Sequence, residues 1–357
     1  MLDIQHLRLL RSSQAKPVSN PFPAIRNCDT LMYDDDFLTG LKTGLKAELP
    51  QWGLPAEARL ELLTISENAT FLAEGDGRRL ILRVQRPNYH TAAEIRSELA
   101  WIEALRAEAI VDTPQLIARR DGGLLGAFDS GGETRHVVGF DFMSGREPAP
   151  AENLAPWFKR LGNINARLHR HSRDWQRPVG FVRKTWDFST TLGDAPHWGD
   201  WRAGLGLDDS GRALLARTVA VIEAKLATYG SGPERFGLVH ADLRLANLLV
   251  DGDRLGVIDF DDCGFSWFMY DFAAAISFHE HEPFIPALQA AWVAGYRQVA
   301  EIPAEDEAML PVFVMLRRIL LTAWIASHAE TPTAAACGTA YTDGTLALAA
   351  GFLDRHG

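Results

Sequence analysis

Short β-prone apolar runs alternate with polar turns through the first part of the chain. Five runs have the length and composition of strands: residues 60–65, 70–73, 80–84, 124–128 and 136–142. The turn Gly75-Asp76-Gly77 joins the second run to the third. Between the third and fourth runs, residues 92–110 place apolar side chains at helical spacing. The pattern predicts a hairpin-rich sheet with one helix.

The rest of the chain is patterned mostly as helices. Helical spacing covers residues 152–171, 211–228, 267–279, 286–298, 306–328 and 341–354. Between these segments lie further strand candidates: residues 236–240, 247–250 and 255–260. The turn Asp251-Gly252-Asp253 joins the last two candidates. We therefore expect an α+β fold in which a small β-rich part precedes a larger helical part.

Length and composition are those of a globular protein with a substantial core. The chain has 357 residues, of which 47% are hydrophobic and 23% are charged. A chain of this size can divide into two lobes. We expect a flexible arm over residues 1–32, a small nucleotide-binding lobe over residues 33–143, and a larger catalytic and substrate-binding lobe over residues 144–357.

Charge and cysteine content narrow the class of partner. The formal net charge of -10 argues against a nucleic-acid or anionic-membrane surface, which would require an excess of Lys and Arg. The apolar stretch at residues 308–327 contains Arg317 and Arg318, so it predicts a buried helix rather than a membrane span. The three cysteines have no CxxC spacing, which indicates neither a zinc site nor a disulfide framework. We expect a cytoplasmic protein.

The densest chemical signal follows the strand candidate at residues 236–240. His240, Asp242 and Asn247 spell HxDxxxxN, and Asp259 ends the next apolar run within VIDFDD. Phosphoryl transfer needs a carboxylate that accepts the proton of the acceptor hydroxyl, and metal ions that neutralise charge on the phosphates. We predict Asp242 as that base and His240 as an orienting group. Asn247 and Asp259 are predicted to bind Mg²⁺, which prefers oxygen ligands.

The sequence leaves more than one interpretation of this motif open. A bare HxDxxxxN arises by chance, and Asp and Asn are common turn formers; a second strand that ends in Asp259 is the context that a chance match lacks. Arg244 is a catalytic candidate beside the transferred phosphate, although a solvated arginine is equally plausible. Asp271 begins a helical run, where the helix dipole favours a carboxylate, or it braces the loop from behind.

Several segments together resemble the aminoglycoside phosphotransferase and choline kinase superfamily: ILRVQRP, SELAWIEALR, HADLRLAN and VIDFDD. The similarity spans about residues 33–330 and is greatest to the branch of homoserine kinases and the bacterial stress response kinase. It implies a bilobal protein-kinase-like fold and a kinase that depends on ATP and Mg²⁺. In that family a basic residue on the third strand holds the nucleotide phosphates and pairs with a helix glutamate, positions that correspond to Arg83 and Glu98.

The position of Glu98 supports this pairing independently. Glu98 falls on the apolar stripe of its helix, where an unpaired carboxylate costs roughly 3–5 kcal/mol. A structural Arg83–Glu98 bridge without a nucleotide is the alternative. The resemblance also implies a phosphate-covering loop at Asn68, which lacks the glycines of GxGxxG. The adenine-binding hinge that it implies consists of Phe140, Asp141, Phe142 and Met143.

The phosphate acceptor is the least determined part of the prediction. Asp261, Asp262 and the HEHE run at residues 279–282 suggest an amine-bearing alcohol, although such runs are usually solvated helix ends. We expect a kinase for a small-molecule hydroxyl, on an amino alcohol, amino acid or aminoglycoside. A Ser/Thr protein kinase and a non-catalytic nucleotide-binding module are the alternatives. The sequence does not indicate the oligomeric state.

Overall fold

The computed structural model describes residues 35–66 and 68–357. The predicted arm at residues 1–32 lies outside the described residues, as does Glu67 of the predicted phosphate-covering loop. The described part has the predicted α+β class, because an antiparallel sheet with its helices precedes a predominantly helical part. The lobe boundary between residues 143 and 144 stays a prediction.

Five strands form the N-terminal sheet in the order β1-β2-β3-β5-β4, with every neighbouring pair antiparallel. They are β1 (Arg59–Ile65), β2 (Ala69–Gly75), β3 (Arg78–Val84), β4 (Leu125–Ser130) and β5 (Glu133–Asp141). The runs predicted from the sequence coincide with these strands. Asp76 and Gly77 both take positive φ in the β2–β3 turn, a conformation that the Gly-rich sequence favours.

Two helices flank this sheet. Helix α1 (Asp35–Glu48) packs on the face that carries Leu82 and Val137, and helix α2 (Ala92–Ala107) belongs to the main core together with Val138. Because successive side chains of a strand point to opposite faces, Arg83 faces away from the side of Leu82. The sequence pattern did not predict α1, whose two glycines, Gly40 and Gly44, weaken its helix propensity.

The C-terminal part is built mainly from helices. They are α3 (Ala155–Asp174), α4 (Phe188–Thr191), α5 (Asp209–Tyr229), α6 (Tyr270–Ala275), α7 (Ile285–Tyr296), α8 (Ala304–Ser327) and α9 (Pro332–His356). Among them lie the short strands β6 (Phe236–Val239), β7 (Leu248–Asp251), β8 (Arg254–Val257) and β9 (Gly264–Trp267). Strands β7 and β8 form the predicted hairpin, and β6 pairs with β9.

One predicted helix is wrong in its bounds. The sequence indicated a helix over residues 267–279, but Trp267 ends strand β9 and helix α6 covers only Tyr270–Ala275. Strand β9 pairs with β6 along its whole length, and Phe265 also bridges to Thr185. These long-range backbone pairings outweigh the local helical pattern. The loop that follows β8 therefore leads into a further strand, β9.

Helix α8 is the central helix of the larger part. By length and composition it could cross a membrane, but 83% of its most apolar window is buried inside the protein, as in a core helix. This burial agrees with the prediction of a buried helix. Its two adjacent arginines, Arg317 and Arg318, are buried as well. Each therefore requires a partner within the protein.

Candidate functional site

A cleft of about 440 Å³ opens between the N-terminal sheet and the β6–β9 region. The structure brings ten of the predicted residues to this cleft or to the groups that line it. Nine line it directly: Asn68, Arg83, Phe140, Phe142, Met143, Asp242, Arg244, Asn247 and Asp259. Glu98, the tenth, lies behind Arg83, whereas Asp141 is an exposed residue at the end of β5.

Asp242 is the most heavily bonded carboxylate in the cleft. Its Oδ1 accepts a hydrogen bond from Nη2 of Arg317 at 2.7 Å. Its Oδ2 accepts from Nδ2 of Asn247 at 2.8 Å and from Nε of Arg244 at 3.2 Å. These donors fix the plane of the carboxylate and its position in the cleft. An oriented carboxylate is what a proton acceptor requires.

The loop that carries Asp242 is held from behind. Ala241 takes a φ of +66°, an unfavourable conformation for alanine, and its N–H donates to Oδ1 of Asp271 at 2.8 Å. The other oxygen of Asp271 accepts from Nδ2 of Asn165 and lies 2.9 Å from Nε2 of His169. Asp271 therefore braces the loop from behind, and it also lies in the first turn of helix α6, so the structure is compatible with both roles considered for it.

His240 is a structural residue of the same loop. It is fully buried, and its Nε2 lies 3.2 Å from the carbonyl oxygen of Ile258 in the neighbouring β8 segment. Its Nδ1 accepts from the N–H of Asp242 at 3.3 Å, and its ring contacts Phe260. Burial lowers the pKa of His240, although the carboxylates of Asp271 and Asp242 oppose this effect. A neutral, bonded imidazole fits the predicted orienting role.

Arg83 and Glu98 form a buried ion pair. Nη2 of Arg83 donates to both carboxylate oxygens of Glu98, at 2.7 and 2.8 Å, and Nη1 donates to Oδ1 of Asp259 at 3.1 Å. Burial lowers the pKa of Arg83, but the carboxylates of Glu98, Asp261 and Asp259 outweigh it and raise the pKa above its ordinary value. The pairing predicted from the sequence is therefore present, and Asp259 adds a second carboxylate to it.

Asp259 occupies a strained position at the mouth of the cleft. Its φ is +61°, and 42% of its side chain is exposed, on the side that faces the cleft. Partial burial of the carboxyl group raises its pKa to about 6; Arg83 opposes this rise, while the carboxylates of Asp261, Glu98 and Asp242 add to it. Asp259 thus carries excess negative charge that a cation would relieve.

The donor set of the cleft suits Mg²⁺. Nδ2 of Asn247 donates to the carbonyl oxygen and to Oδ2 of Asp242, both at 2.8 Å. The Oδ1 of Asn247 is therefore the atom that remains for a metal. Asp259 adds a carboxylate whose charge is only partly compensated by Arg83. Mg²⁺ takes oxygen ligands and keeps waters and substrate phosphates in its remaining positions. One carboxylate and one amide oxygen therefore fit this ion.

Asn68 connects the predicted phosphate-covering loop to the segment after β8 that carries Asp259 and Asp261. Its Nδ2 donates to Oδ2 of Asp261 at 2.8 Å, and its Oδ1 accepts from the N–H of Arg86 at 3.2 Å. Burial raises the pKa of Asp261, but His90 and Arg83 outweigh it and hold the pKa well below its usual range. Asn68 thereby fixes the start of β2 over the cleft.

The cluster of His90, Asp261 and Asp262 is better explained by ion pairing than by a metal. Their ligand atoms all lie within 4.8 Å of one another. However, Asp261 already accepts from Asn68 and lies 3.6 Å from Nη2 of Arg83. Oδ1 of Asp262 accepts from the hydroxyl of Tyr89 at 2.8 Å. A dication would have to displace these donors.

The predicted hinge lies at the far end of the cleft. Phe140, Phe142 and Met143 line it, and the guanidinium of Arg79 stacks on the Phe142 ring at 3.5 Å. Asp141 points outward, and its Oδ1 accepts from the N–H of Phe142. These side chains form an apolar wall, which suits the flat face of an adenine ring.

A second, much smaller pocket adjoins the cleft on the other side of Asp242. Its volume is about 30 Å³. The polar groups that it shares with the cleft are Ser66, Asp242, Arg244 and Asp262. Beyond them the pocket is closed by Trp198, Phe278, Arg317, Leu321, Trp324 and Thr333. The sequence analysis did not predict this aromatic wall.

The HEHE run contributes to this pocket indirectly. Glu280 is buried and pairs with Nη1 of Arg318 at 2.7 Å, whereas His281 is exposed. The hydroxyl of Tyr341 donates to the same carboxylate at 3.2 Å. The run is therefore neither a metal site nor a solvated helix end. Glu280 anchors the turn that follows α6, beside Phe278.

With this geometry in view, we compared the chain with known proteins. Residues 61–302 match the phosphotransferase enzyme family. The chain belongs to this family. A solved structure of a microcompartment-associated aminopropanol kinase is 47% identical to this phosphotransferase; the match covers 88% of this chain and 98% of that chain, with a TM-score of 0.82.

More distant relatives of this phosphotransferase act on other small molecules. The amicoumacin kinase of Bacillus subtilis is 19% identical, over 74% of this chain and 78% of that protein. The homoserine kinase of Methylobacterium radiotolerans is 30% identical, over 60% of this chain and 63% of that protein. The predicted family, fold and enzyme class are confirmed. The phosphotransferase is a kinase whose acceptor is a hydroxyl group of a small molecule.

Proposed function

We propose that this phosphotransferase transfers the γ-phosphate of ATP to the hydroxyl of a small amino alcohol of the aminopropanol type. The observation that carries the proposal is the pocket beside Asp242. Its volume of about 30 Å³ corresponds to a few non-hydrogen atoms, since one water needs about 10–15 Å³ by this measure. An aminoglycoside or a folded protein substrate requires a far larger opening. The 47% identity to an aminopropanol kinase supports the same acceptor class.

Each cleft residue has a role in this proposal. The hydroxyl of the acceptor gives its proton to Asp242 while its oxygen attacks the γ-phosphorus and ADP leaves. Arg83 and Arg244 hold phosphate oxygens, and Glu98 keeps Arg83 in place. Asn247 and Asp259 would hold Mg²⁺, which neutralises charge on the phosphates when bound.

The charges around the small pocket orient an amino alcohol within it. The guanidinium of Arg317 lies on the Asp242 side and faces the Trp198 ring at 5.0 Å. Asp262 lies on the wall shared with the cleft, held by Tyr89. An ammonium group is repelled by the arginine and attracted by Asp262. This arrangement directs the ammonium toward Asp262 and leaves the hydroxyl for Asp242.

The aromatic wall also favours an organic cation. Phe278 and Trp324 line the pocket, and aromatic faces attract ammonium groups within about 6 Å of the ring centre, whereas the Trp198 ring already faces the guanidinium of Arg317. A neutral alcohol of the same shape gains only the apolar contact. We therefore expect amino alcohols to be preferred over diols of equal size.

A screen of ATP consumption tests the proposed function. The purified chain is incubated with ATP and Mg²⁺, and ADP release is measured with 1-amino-2-propanol, 2-aminoethanol, homoserine, kanamycin and casein. The small amino alcohols are expected to give the highest kcat/KM. Asp242→Asn serves as the inactive control, and Asp253→Asn, in an exposed turn, as the matched active control. Preferential phosphorylation of kanamycin or casein would refute the proposal.

A further inference from the structure

Phe278 stands in a costly backbone conformation at the wall of the small pocket. Its φ is +72°, in the left-handed region, which is unfavourable for a bulky side chain. Its ring lines the pocket and contacts Trp324 and Tyr341 edge-on, with centroids 6.1 and 5.9 Å apart. Glycine or asparagine would make the same turn at lower cost. The ring itself is therefore the feature that explains a phenylalanine here.

A buried network holds the Phe278 backbone in this conformation. Its N–H donates to Oε1 of Glu280 at 3.2 Å. Oε2 of Glu280 accepts from Nη1 of Arg318 at 2.7 Å, and Arg318 in turn donates to Thr345 and to the carbonyl of Tyr341. Glu280 and Arg318 are both fully buried. Helices α8 and α9 thus jointly fix the turn that presents Phe278.

Strained residues persist where the surrounding structure over-determines them, and this occurs often at ligand sites. The network around Glu280 over-determines Phe278, and the ring that it positions closes one wall of the acceptor pocket. A retreat of this ring would lengthen the pocket toward Trp324 and Tyr341. The acceptor then has room for additional carbon atoms.

We infer that Phe278 is the residue that limits the length of the acceptor, and that Glu280 and Arg318 are positioning residues that hold it in place. The inference rests on the proposed function, because it concerns the same acceptor pocket. It assigns to Glu280 a role in substrate selection, although Glu280 touches neither the cleft nor the pocket. In this inference Phe278 limits the size of the acceptor, whereas Asp262 recognises its charge.

A graded series of acceptors tests the inference. Wild type, Phe278→Ala and Phe278→Gly are assayed with 1-amino-2-propanol, 1-amino-2-pentanol and 1-amino-2-heptanol. The ratio of kcat/KM for the longest to the shortest acceptor should rise by about 10-fold or more in both variants, the range that one or more methylene groups gain in a pocket. Ala109→Gly is the matched control. It relieves another left-handed residue, with a φ of +49°, after helix α2 and away from the pocket.

A second pair of variants tests the positioning network. Glu280→Gln removes the charge that pairs with Arg318, and Tyr341→Phe removes one hydrogen bond to Glu280 without changing the ring. Both should shift the same acceptor ratio, Glu280→Gln more strongly, and leave the KM for ATP unchanged. A role confined to stability would lower the melting temperature without moving the ratio.

The outcomes separate this inference from the proposed function. If wild type phosphorylates 1-amino-2-propanol and Phe278→Ala keeps the wild-type acceptor ratio, the inference alone is overturned. A wild-type chain that neither phosphorylates these amino alcohols nor gains thermal stability from them, in the presence of ADP and Mg²⁺, overturns both. A raised ratio in the Phe278 variants together with an unchanged ratio in Ala109→Gly supports the inference.

Discussion

Arg317 donates a charged hydrogen bond of 2.7 Å to Oδ1 of Asp242, from a side chain that is only 2% exposed. The same guanidinium donates to the hydroxyls of Tyr270 at 2.9 Å and of Ser277 at 3.1 Å. The proposed base is therefore anchored to helix α8 and not only to its own loop. Arginine holds such a fixed geometry better than lysine, because its planar fork bonds several acceptors at once.

Loss of this anchor should reduce turnover. We expect Arg317→Met to lower kcat by about 10- to 100-fold, since a charge-assisted hydrogen bond contributes roughly 1.5–3 kcal/mol. The KM for ATP should change little, because Arg317 is not part of the nucleotide cleft. Steady-state kinetics measures both constants. Tyr270→Phe, which removes one partner of Arg317 but keeps the Asp242 contact, should cause a smaller loss; an equal loss would contradict the anchoring role.

Asp259 should make the stability of the metal-free chain depend on pH. Its pKa in the folded chain is about 6, above the ordinary value of 3.8, so the folded state favours the protonated form. The contribution of Asp259 to the free energy of unfolding is therefore present at pH 4 and is lost as the pH rises through 6. We expect Asp259→Asn to melt at a higher temperature than wild type at pH 7.5 in EDTA, with a smaller difference at pH 4.5.

The same substitution should abolish the response to metal. Mg²⁺ with ADP should raise the melting temperature of wild type at pH 7.5 but not that of Asp259→Asn, because the neutral amide lacks the negative charge with which the carboxylate holds the ion. Differential scanning fluorimetry with and without Mg²⁺ measures this difference. An equal response of both proteins to Mg²⁺ would show that Asp259 is not a ligand. A difference in melting temperature between wild type and Asp259→Asn that is equally large at pH 4.5 and pH 7.5 would refute the titration argument.

A double substitution separates the structural and nucleotide-binding roles of Arg83. Arg83→Met alone should destabilise the fold by about 3–5 kcal/mol, because it leaves the carboxylate of Glu98 buried without its partner. Arg83→Met/Glu98→Leu should recover most of that stability, since an apolar pair of similar volume replaces the ion pair. Its affinity for ATP should stay low. Urea denaturation and nucleotide titration measure the two properties, and a double variant with normal ATP affinity would leave Arg83 a purely structural role.

The parts of the site that the sequence predicted are those set by local spacing. The interval from His240 to Asn247 and the place of Asp259 just after strand β8 depend only on residues close together in the chain. The place of Glu98 on an apolar stripe supported the pairing that the family resemblance implied. The five strands of the N-terminal sheet were predicted for the same reason. Each strand has its own alternation of apolar and polar residues and its own turn.

The acceptor pocket could not be predicted in this way. Asp262 was named in the sequence as a sign of an amine-bearing acceptor, but Trp198, Phe278 and Trp324 lie on three separate segments that only the tertiary fold brings together. A signal for Arg317 was present, because two adjacent arginines interrupt an otherwise apolar helix. That interruption was used only to argue against a membrane span. A buried arginine also requires an acidic partner, and this requirement could have pointed to Asp242 and Glu280.

The charge of Asp262 provides the sharpest test of how the acceptor is recognised. Asp262→Asn keeps the size of the side chain and can still accept the hydrogen bond from Tyr89, but it removes the negative charge beside the pocket. The kcat/KM for 1-amino-2-propanol should therefore fall by about 10- to 100-fold, while that for 1,2-propanediol should change little. Asp253→Asn, at a fully exposed carboxylate, is the matched control and should leave both values unchanged. Equal losses for the amine and the diol would mean that Asp262 acts on the fold or the nucleotide, and the ammonium would then have to be recognised by the aromatic wall alone.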